Sequence, residues 1–348
     1  MTLACKIHAA NDLRFEQQED IALAPHQVEV QLGAAGICGS DLHYYFHGRA
    51  GAFQIREPLT PGHEASGLVL RTGSAVASLA PGMKVAINPS QACGSCDYCR
   101  KGRENLCTQM RFLGSASIYP HVQGMFRESF VLNARQLTAV EADISFGELA
   151  FAEPLAVALH AVNRCGPLLG KTVLVTGAGT IGCLIVIAAR LAGAARIIAC
   201  DVADHPLRAA TAAGADAVVR SDLDAAAISD PAGVAEVCVE AAGNAAALAT
   251  CIDACRRGGR IVQVGTLPAE GLHFPANAIM ARELDYAGAF RFGIEFDWAV
   301  DYLVSRRIDV RQLLTAQLPL KDAVDAFRLA ADKSRSTKVQ LIGEAAMS

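Results

Sequence analysis

One segment near the middle of the chain decides most of its architecture. Gly177-Ala-Gly179-Thr-Ile-Gly182 follows the β-branched run Val173-Leu-Val-Thr and opens an apolar stretch at Ile181. Three spaced glycines alone say little. Between a strand and a helix, each has a task. The first closes a tight turn, the second lets a pyrophosphate approach the backbone, and the third lets helix pack on strand. The helix N-terminus then offers unpaired N–H groups and a positive dipole end to phosphate. This context predicts a dinucleotide-binding α/β unit. The next apolar run, Arg196-Ile-Ile-Ala-Cys, ends at Asp201, nineteen residues beyond Gly182. A carboxylate there accepts hydrogen bonds from ribose hydroxyls and repels a 2′-phosphate, which favours NAD. Arg208, seven residues further on, leaves NADP as the alternative.

The surrounding texture agrees. From about Glu148, short β-branched runs alternate with Ala-rich stretches of helical length. The runs are Thr172–Thr176, Arg196–Asp201, Ala217–Val219, Val237–Glu240 and Arg260–Gly265, with helices such as Ile181–Ala192 and Pro206–Ala213 between them. Such alternation predicts a doubly wound parallel sheet. The earlier residues read as β-rich: Val28-Glu-Val-Gln-Leu alternates apolar and polar. Gly67-Leu-Val-Leu and Val85-Ala-Ile follow, with turns such as Pro81-Gly82 between them. A chain of 348 residues suggests two domains, with the nucleotide unit inserted into, or placed after, a mostly β domain. The uncharged stretch Thr172–Ala189 is long enough to span a bilayer, but glycines punctuate its middle, so a strand, a turn and a buried helix explain it better. Met1-Thr-Leu-Ala-Cys-Lys shows no basic-then-apolar export signal. A net charge of −4 argues against nucleic acid or an anionic membrane as partner.

The chain has twelve cysteines, and their distribution is uneven. Cys93, Cys96, Cys99 and Cys107 fall within fifteen residues, and the others are scattered. Without an export signal this predicts a reduced, cytoplasmic chain with one metal cluster, not a disulfide scaffold. Four thiolates at this spacing close a tetrahedral zinc site with no open position, so its role is structural. An iron–sulfur run would place its fourth cysteine after three residues and before proline; here the gap is seven and Thr108 follows. Asp97 and Glu104 interrupt the basic residues of the loop, against a zinc ribbon for nucleic acid.

Three further segments are dense in polar chemistry: Gly36-Ile-Cys38-Gly-Ser40-Asp41-Leu-His43-Tyr44, Gly62-His63-Glu64-Ala-Ser-Gly67 and Ala152-Glu153-Pro154. A thiolate, an imidazole and a carboxylate make a three-ligand zinc site with one position left for water or substrate. Each residue also has an ordinary structural reading, and separation in sequence does not show that they meet.

Together with the cysteine loop and the glycine segment, these motifs occur in the order of the zinc-dependent medium-chain alcohol dehydrogenases, which the chain resembles over essentially its whole length. It is most similar to the polyol (sorbitol-like) branch, because Glu153 stands where other alcohol dehydrogenases use a cysteine ligand. Met110-Arg-Phe-Leu-Gly-Ser-Ala and Lys338-Val-Gln-Leu resemble members of that branch acting on sugar acids. The resemblance implies a GroES-like β-rich catalytic domain (residues 1–153, with 290–348 returning to it) and a Rossmann domain (154–289), with the active site between them.

It implies two zinc ions. Cys38 and His63 are ligands of the catalytic one, with Glu64 or Glu153 as the third. Asp41 stands behind His63. Ser40 takes the substrate proton, with His43 further along the relay. Gly177, Gly179, Thr180, Ile181, Gly182, Asp201, Val264, Gly265 and Lys338 serve the dinucleotide. Tyr44, Arg111 and Arg291 are the expected substrate contacts, since an aldonate carboxylate calls for a guanidinium. Arg291 lies in Phe290-Arg-Phe292, where relatives tend to carry Phe-Arg-Tyr. The expected reaction moves a hydride between a secondary alcohol of a sugar acid or polyol and NAD, in a homotetramer or homodimer.

Overall fold

The computed structural model describes residues 1–19, 22–228, 233–268, 271 and 274–346. The chain divides into two compact units: Met1–Glu153 with Phe296–Asp332 and Lys338–Ser348, and Pro154–Glu295 with Lys333–Thr337.

In the first unit, β1 (Thr2–Ala9) and β2 (Asp12–Gln18) form an antiparallel hairpin. β3 (Gln27–Gly36) leads into α1 (Gly39–His47), and β4 (Glu64–Thr72) and β5 (Lys84–Ile87) follow. β6 (Ser129–Asn133) and β7 (Leu137–Val140) precede α2 (Ala152–Cys165), whose first two residues belong to this unit.

In the second unit the order is β8 (Thr172–Thr176), α3 (Thr180–Leu191), β9 (Arg196–Asp201), α4 (Asp204–Ala212), β10 (Ala217–Arg220) and β11 (Ala235–Glu240). α5 (Ala245–Ala254), β12 (Cys255–Gln263) and β13 (Asp285–Gly288) complete it. The chain then returns to the first unit through α6 (Glu295–Val304), β14 (Leu314–Pro319), α7 (Ala323–Ala331) and β15 (Lys338–Ile342).

Among the described residues the first unit's main sheet runs β7-β5-β4-β3-β15-β14, with β6 also on β3. β3 alternates half-buried and buried positions over its first six residues, as a one-faced strand should, and is buried throughout its last four, before Cys38. Val30, Leu32, Phe126 and Phe327 lie at the centre of its core. The second unit's sheet is parallel and ordered β10-β9-β8-β11-β12-β13. Val173–Val175 and Val237–Val239 are buried on both faces, which is why these strands read as continuous apolar runs. The strand order reverses between β8 and β11, the switch point at which such sheets open a ligand crevice.

Two stretches group differently from the expected 290–348 return. Residues 290–295 stay with the second unit, because Glu295 accepts hydrogen bonds from His160 Nδ1 and Asn163 Nδ2 on α2. Lys333–Thr337 does so because Thr180 Oγ1 donates to the Thr337 carbonyl and Thr337 Oγ1 meets His205 Nε2. Among the described residues no helix is long and apolar enough to cross a membrane.

Candidate metal centre and dinucleotide site

Cys38 caps the N-terminus of α1, at the end of β3. Asp41, in the first turn, is fully buried. Its Oδ2 accepts from Cys38 N at 2.9 Å and its Oδ1 from Gly62 N at 3.2 Å, and Oδ1 lies 3.7 Å from His63 Nδ1. Asp41 therefore ties both ligand-bearing segments together and backs the His63 ring. Burial pushes the Asp41 carboxyl up, while His63 opposes the shift. Burial pulls the His63 imidazole down, but Asp41 and Cys38 outweigh it and leave it raised.

Glu64 opens β4 opposite Gly36 of β3. One ligand atom each from Cys38, His63 and Glu64 lies within 4.8 Å of the other two. This donor set suits zinc: a thiolate, an imidazole and one carboxylate oxygen, with room for a fourth ligand. Glu153, in the first turn of α2, is 5% exposed and stands outside that set of three. Burial, joined by Glu64 and Asp41, pushes its carboxyl up to about 8, with His63 and Lys338 pulling the other way. Of the two expected carboxylates, it is Glu64 that joins the thiol and the imidazole.

The structure places the other expected site residues as follows. Lys338, expected at the dinucleotide, donates to Glu64 Oε2 at 2.6 Å and to the Ile37 carbonyl at 3.1 Å. Tyr44 was assigned to the substrate; it is buried in the core, and its hydroxyl accepts from Ala116 N at 3.0 Å. Arg111 lies beside Phe112 in a two-residue strand. Neighbouring strand residues face opposite ways. The Phe112 ring stands 5.6 Å from the His63 ring, whereas the Arg111 side chain is exposed. Ser40 is half-buried and His43 exposed on α1, the latter with its ring 5.6 Å from that of His47. Arg291 is half-buried, adopts a left-handed backbone (φ 56°) and lies over the Phe290 ring at 4.8 Å.

Cys93, Cys96, Cys99 and Cys107 bring their Sγ atoms within 4.8 Å of one another, and all are free thiols. Cys96 and Cys99 are 3.5 Å apart, Cys93 and Cys99 4.0 Å. A zinc tetrahedron with bonds of about 2.3 Å has sulfur–sulfur edges of about 3.8 Å, so the lobe fits one ion. Peptide N–H groups of Cys96, Cys93 and Gln109 point at the sulfurs and favour thiolates. Those of Cys99 and Thr108 pull the Cys96 thiol down to about 6. Cys99 and Cys107 pack on Met110 and Phe112. The lobe thus backs, through Phe112, onto His63. No motif announced that contact.

In the second unit Gly177 has φ 87°, and a Cβ there would come within 2.6 Å of Ala242 N. A Cβ on Gly182 would overlap the Gly177 carbonyl, whereas one on Gly179, the N-cap of α3, would meet nothing within 4 Å. The glycines hold two loops in backbone contact at the switch point and leave the helix N-terminus open, which is the shape a pyrophosphate needs. Thr180 and Ile181 form the first turn of α3. Asp201 accepts from Ala178 N at 2.8 Å and from Val202 N at 2.7 Å, so its carboxylate is fixed beside the glycine turn. Glu240, missed in the sequence, is buried at the end of β11. Its carboxylate accepts from Ala242 and Gly243 N, and its carbonyl from Val264 and Gly265 N, which shapes the same crevice.

Comparison with known proteins agrees with this geometry. Residues 24–142 match the family described as alcohol dehydrogenase GroES-like domain, and residues 180–305 match zinc-binding dehydrogenase. The chain is 42% identical over 316 residues to an L-idonate 5-dehydrogenase (NAD(P)(+)) of Escherichia coli strain K12, covering 90% of this chain and 91% of that one. It is 35% identical to a sorbitol dehydrogenase of Gallus gallus, covering 93% and 92%. The crystal structure of the L-idonate 5-dehydrogenase from Escherichia coli K-12 superimposes with a TM-score of 0.93 at 38% identity, over 98% of each chain. A zinc-binding dehydrogenase target from Sinorhizobium meliloti 1021, bound to NADP, superimposes with a TM-score of 0.89 at 31% identity, over 98% and 99%. The chain belongs to the zinc-dependent medium-chain alcohol dehydrogenases, in their polyol and sugar-acid branch.

Proposed function

We propose that this dehydrogenase acts on a sugar acid, interconverting L-idonate and 5-keto-D-gluconate with NAD, and with NADP as the alternative cofactor. The observation that carries this reading is the meeting of Cys38, His63 and Glu64 in one buried set. A nucleotide-binding relative without catalysis would have no need of it. The 42% relative supports the substrate.

Cys38, His63 and Glu64 would hold the catalytic zinc, and Cys93, Cys96, Cys99 and Cys107 a structural one, giving two per chain. Bound there, zinc supplies the Lewis acidity that lowers a water pKa from about 15.7 to about 7 and acidifies an alcohol in the same sense. Asp41 holds the His63 ring against rotation. Ser40 would accept the substrate hydroxyl proton as it releases its own, and His43, exposed one turn on, would take the released proton and hand it to solvent. Glu153 is a second buried carboxyl, close enough to His63 and Glu64 to interact with both.

Bound NAD supplies the hydride acceptor. Gly177, Gly179 and Gly182, with the backbone of Thr180 and Ile181, would hold its pyrophosphate, Asp201 the ribose, and Val264 and Gly265 the nicotinamide end. Arg291 takes the substrate carboxylate. The partner surface of a homodimer or homotetramer is edge strand β13, where Tyr286 is exposed with its ring tilted against that of Phe274 at 5.3 Å. The free cysteines suit a reducing cytoplasm.

Initial rates on L-idonate, D-gluconate, sorbitol, xylitol and L-threonine, each with NAD and NADP, test the reading. L-Idonate should give the highest kcat/KM. A tenfold preference for sorbitol or xylitol would move the substrate to a polyol, the reading that the 35% relative favours. No turnover on any of them, with one zinc per chain, would leave a nucleotide-binding protein.

A further inference from the structure

Two carboxylates and one ammonium crowd the candidate metal set, and the ammonium does not treat the carboxylates alike. Lys338 opens β15, is 3% exposed and donates to Glu64 Oε2 at 2.6 Å and to the Ile37 carbonyl at 3.1 Å. The topology explains how they reach each other. β3 runs between β15 and β4, with Gly36 opposite both Gln340 and Glu64. Gly36 has no side chain, and a Cβ there would overlap Glu64 Oε2. The glycine leaves a gap over β3 in which the ammonium of one flanking strand meets the carboxylate of the other.

We propose that Lys338 is a positioning residue that makes Glu64, and not Glu153, the direct carboxylate ligand, by holding Oε2 so that Oε1 is the oxygen left to the metal. The proposal rests on the reading of Cys38, His63 and Glu64 as a metal site. Three features support it. Lys338 is buried and paired, so its position is fixed by the sheet. The ion pair constrains Glu64 to one oxygen, which fits four-coordinate zinc. Glu153 has no comparable tether among the described contacts and stands outside the set of three ligand atoms. Without the ammonium, Glu64 is free to swing, and Glu153 becomes a competitor for the same coordination position. Supporting residues of this kind commonly change metal affinity by about 10- to 100-fold.

The test compares the purified full chain with Lys338→Met, Lys338→Arg, Glu153→Gln, Cys38→Ser and the Lys338→Met, Glu153→Gln double variant. Zinc content, the rate of zinc transfer to a chromogenic chelator and the visible bands of Co2+-exchanged protein are measured. Glu153→Gln should release zinc at the rate of the unaltered chain. Lys338→Met should release the catalytic-site ion about tenfold faster and shift the Co2+ bands, and Lys338→Arg should restore both. The double variant should lose that ion altogether. Unchanged release and unchanged bands in Lys338→Met, with Cys38→Ser losing one ion, would overturn the proposal alone. Unchanged zinc content in Cys38→Ser would overturn the metal site and the proposal with it. If Lys338→Met does not fold, Gly36→Ala displaces the same carboxylate oxygen while keeping the lysine, and wild-type release from that variant would equally overturn the proposal.

Discussion

Glu295, the last residue of its stretch of the second unit, offers a quantitative test of how that stretch is held to α2. It is 6% exposed. Its Oε1 accepts from His160 Nδ1 at 3.0 Å and Asn163 Nδ2 at 2.9 Å, and its Oε2 from Gly293 N at 2.8 Å. Burial alone would push the carboxyl up; the donors reverse that and hold it at about 2, against an ordinary 4.5. The shift of roughly 2.5 pH units (4.5 minus 2) corresponds to about 3 kcal/mol at about 1.36 kcal/mol per unit. Because the folded value is depressed, this contribution is complete above about pH 4.5 and fades as the pH falls from there towards 2.

Glu295→Gln should therefore destabilise the protein by about 3 kcal/mol, constant between pH 5 and 8. Denaturant titrations of the metal-loaded protein can read this through the fluorescence of Trp298, the chain's one tryptophan, on the next turn of α6. The same variant should raise the aldonate KM, since Gly293 lies two residues from Arg291. A deficit below about 1 kcal/mol would refute the reasoning.

Other substitutions address the site directly. Phe112→Ala should cost about 3–5 kcal/mol in thermal melts and lower kcat/KM, because the ring fills the space between the cysteine lobe and His63. Gly182→Ala should weaken NAD binding about tenfold or more in a fluorescence titration, as its methyl meets the Gly177 carbonyl. Cys96→Ser should remove one zinc per chain and lower the melting temperature while the second ion stays, as metal analysis will read. Arg291→Ala should cut kcat/KM on L-idonate about tenfold or more with a smaller loss on sorbitol. Arg111→Ala, with its exposed side chain, should change both by less than about twofold.

What was legible in the sequence was local. Thr172–Thr176 reads as a strand because a β-branched run ends at a glycine turn, and the structure has that strand and the helix Thr180–Leu191 behind it. The cysteine lobe was legible because fifteen residues hold all four thiols, so spacing alone constrains their geometry. The long-range pairs were not. Lys338 and Glu64 are 274 residues apart, and only the strand order β15-β3-β4, with a glycine between them, brings them together. Which of Arg111 and Phe112 faces His63 depends on the side from which their strand approaches, a fact of packing rather than of composition. Glu240 looked like any acid at a strand end until the sheet order put it at the switch point.

The cysteine lobe also sets how the protein must be handled. A disulfide needs its sulfurs about 2.05 Å apart, and Cys96 and Cys99 already stand at 3.5 Å. The peptide N–H groups that favour Cys96 thiolate for metal also make it the nucleophile of the group. A zinc ion held there and oxidation would therefore compete for the same electron pairs. Stripping the lobe with a chelator in air should lead to crosslinked loops that no longer take zinc back, whereas stripping under a thiol reductant should be reversible.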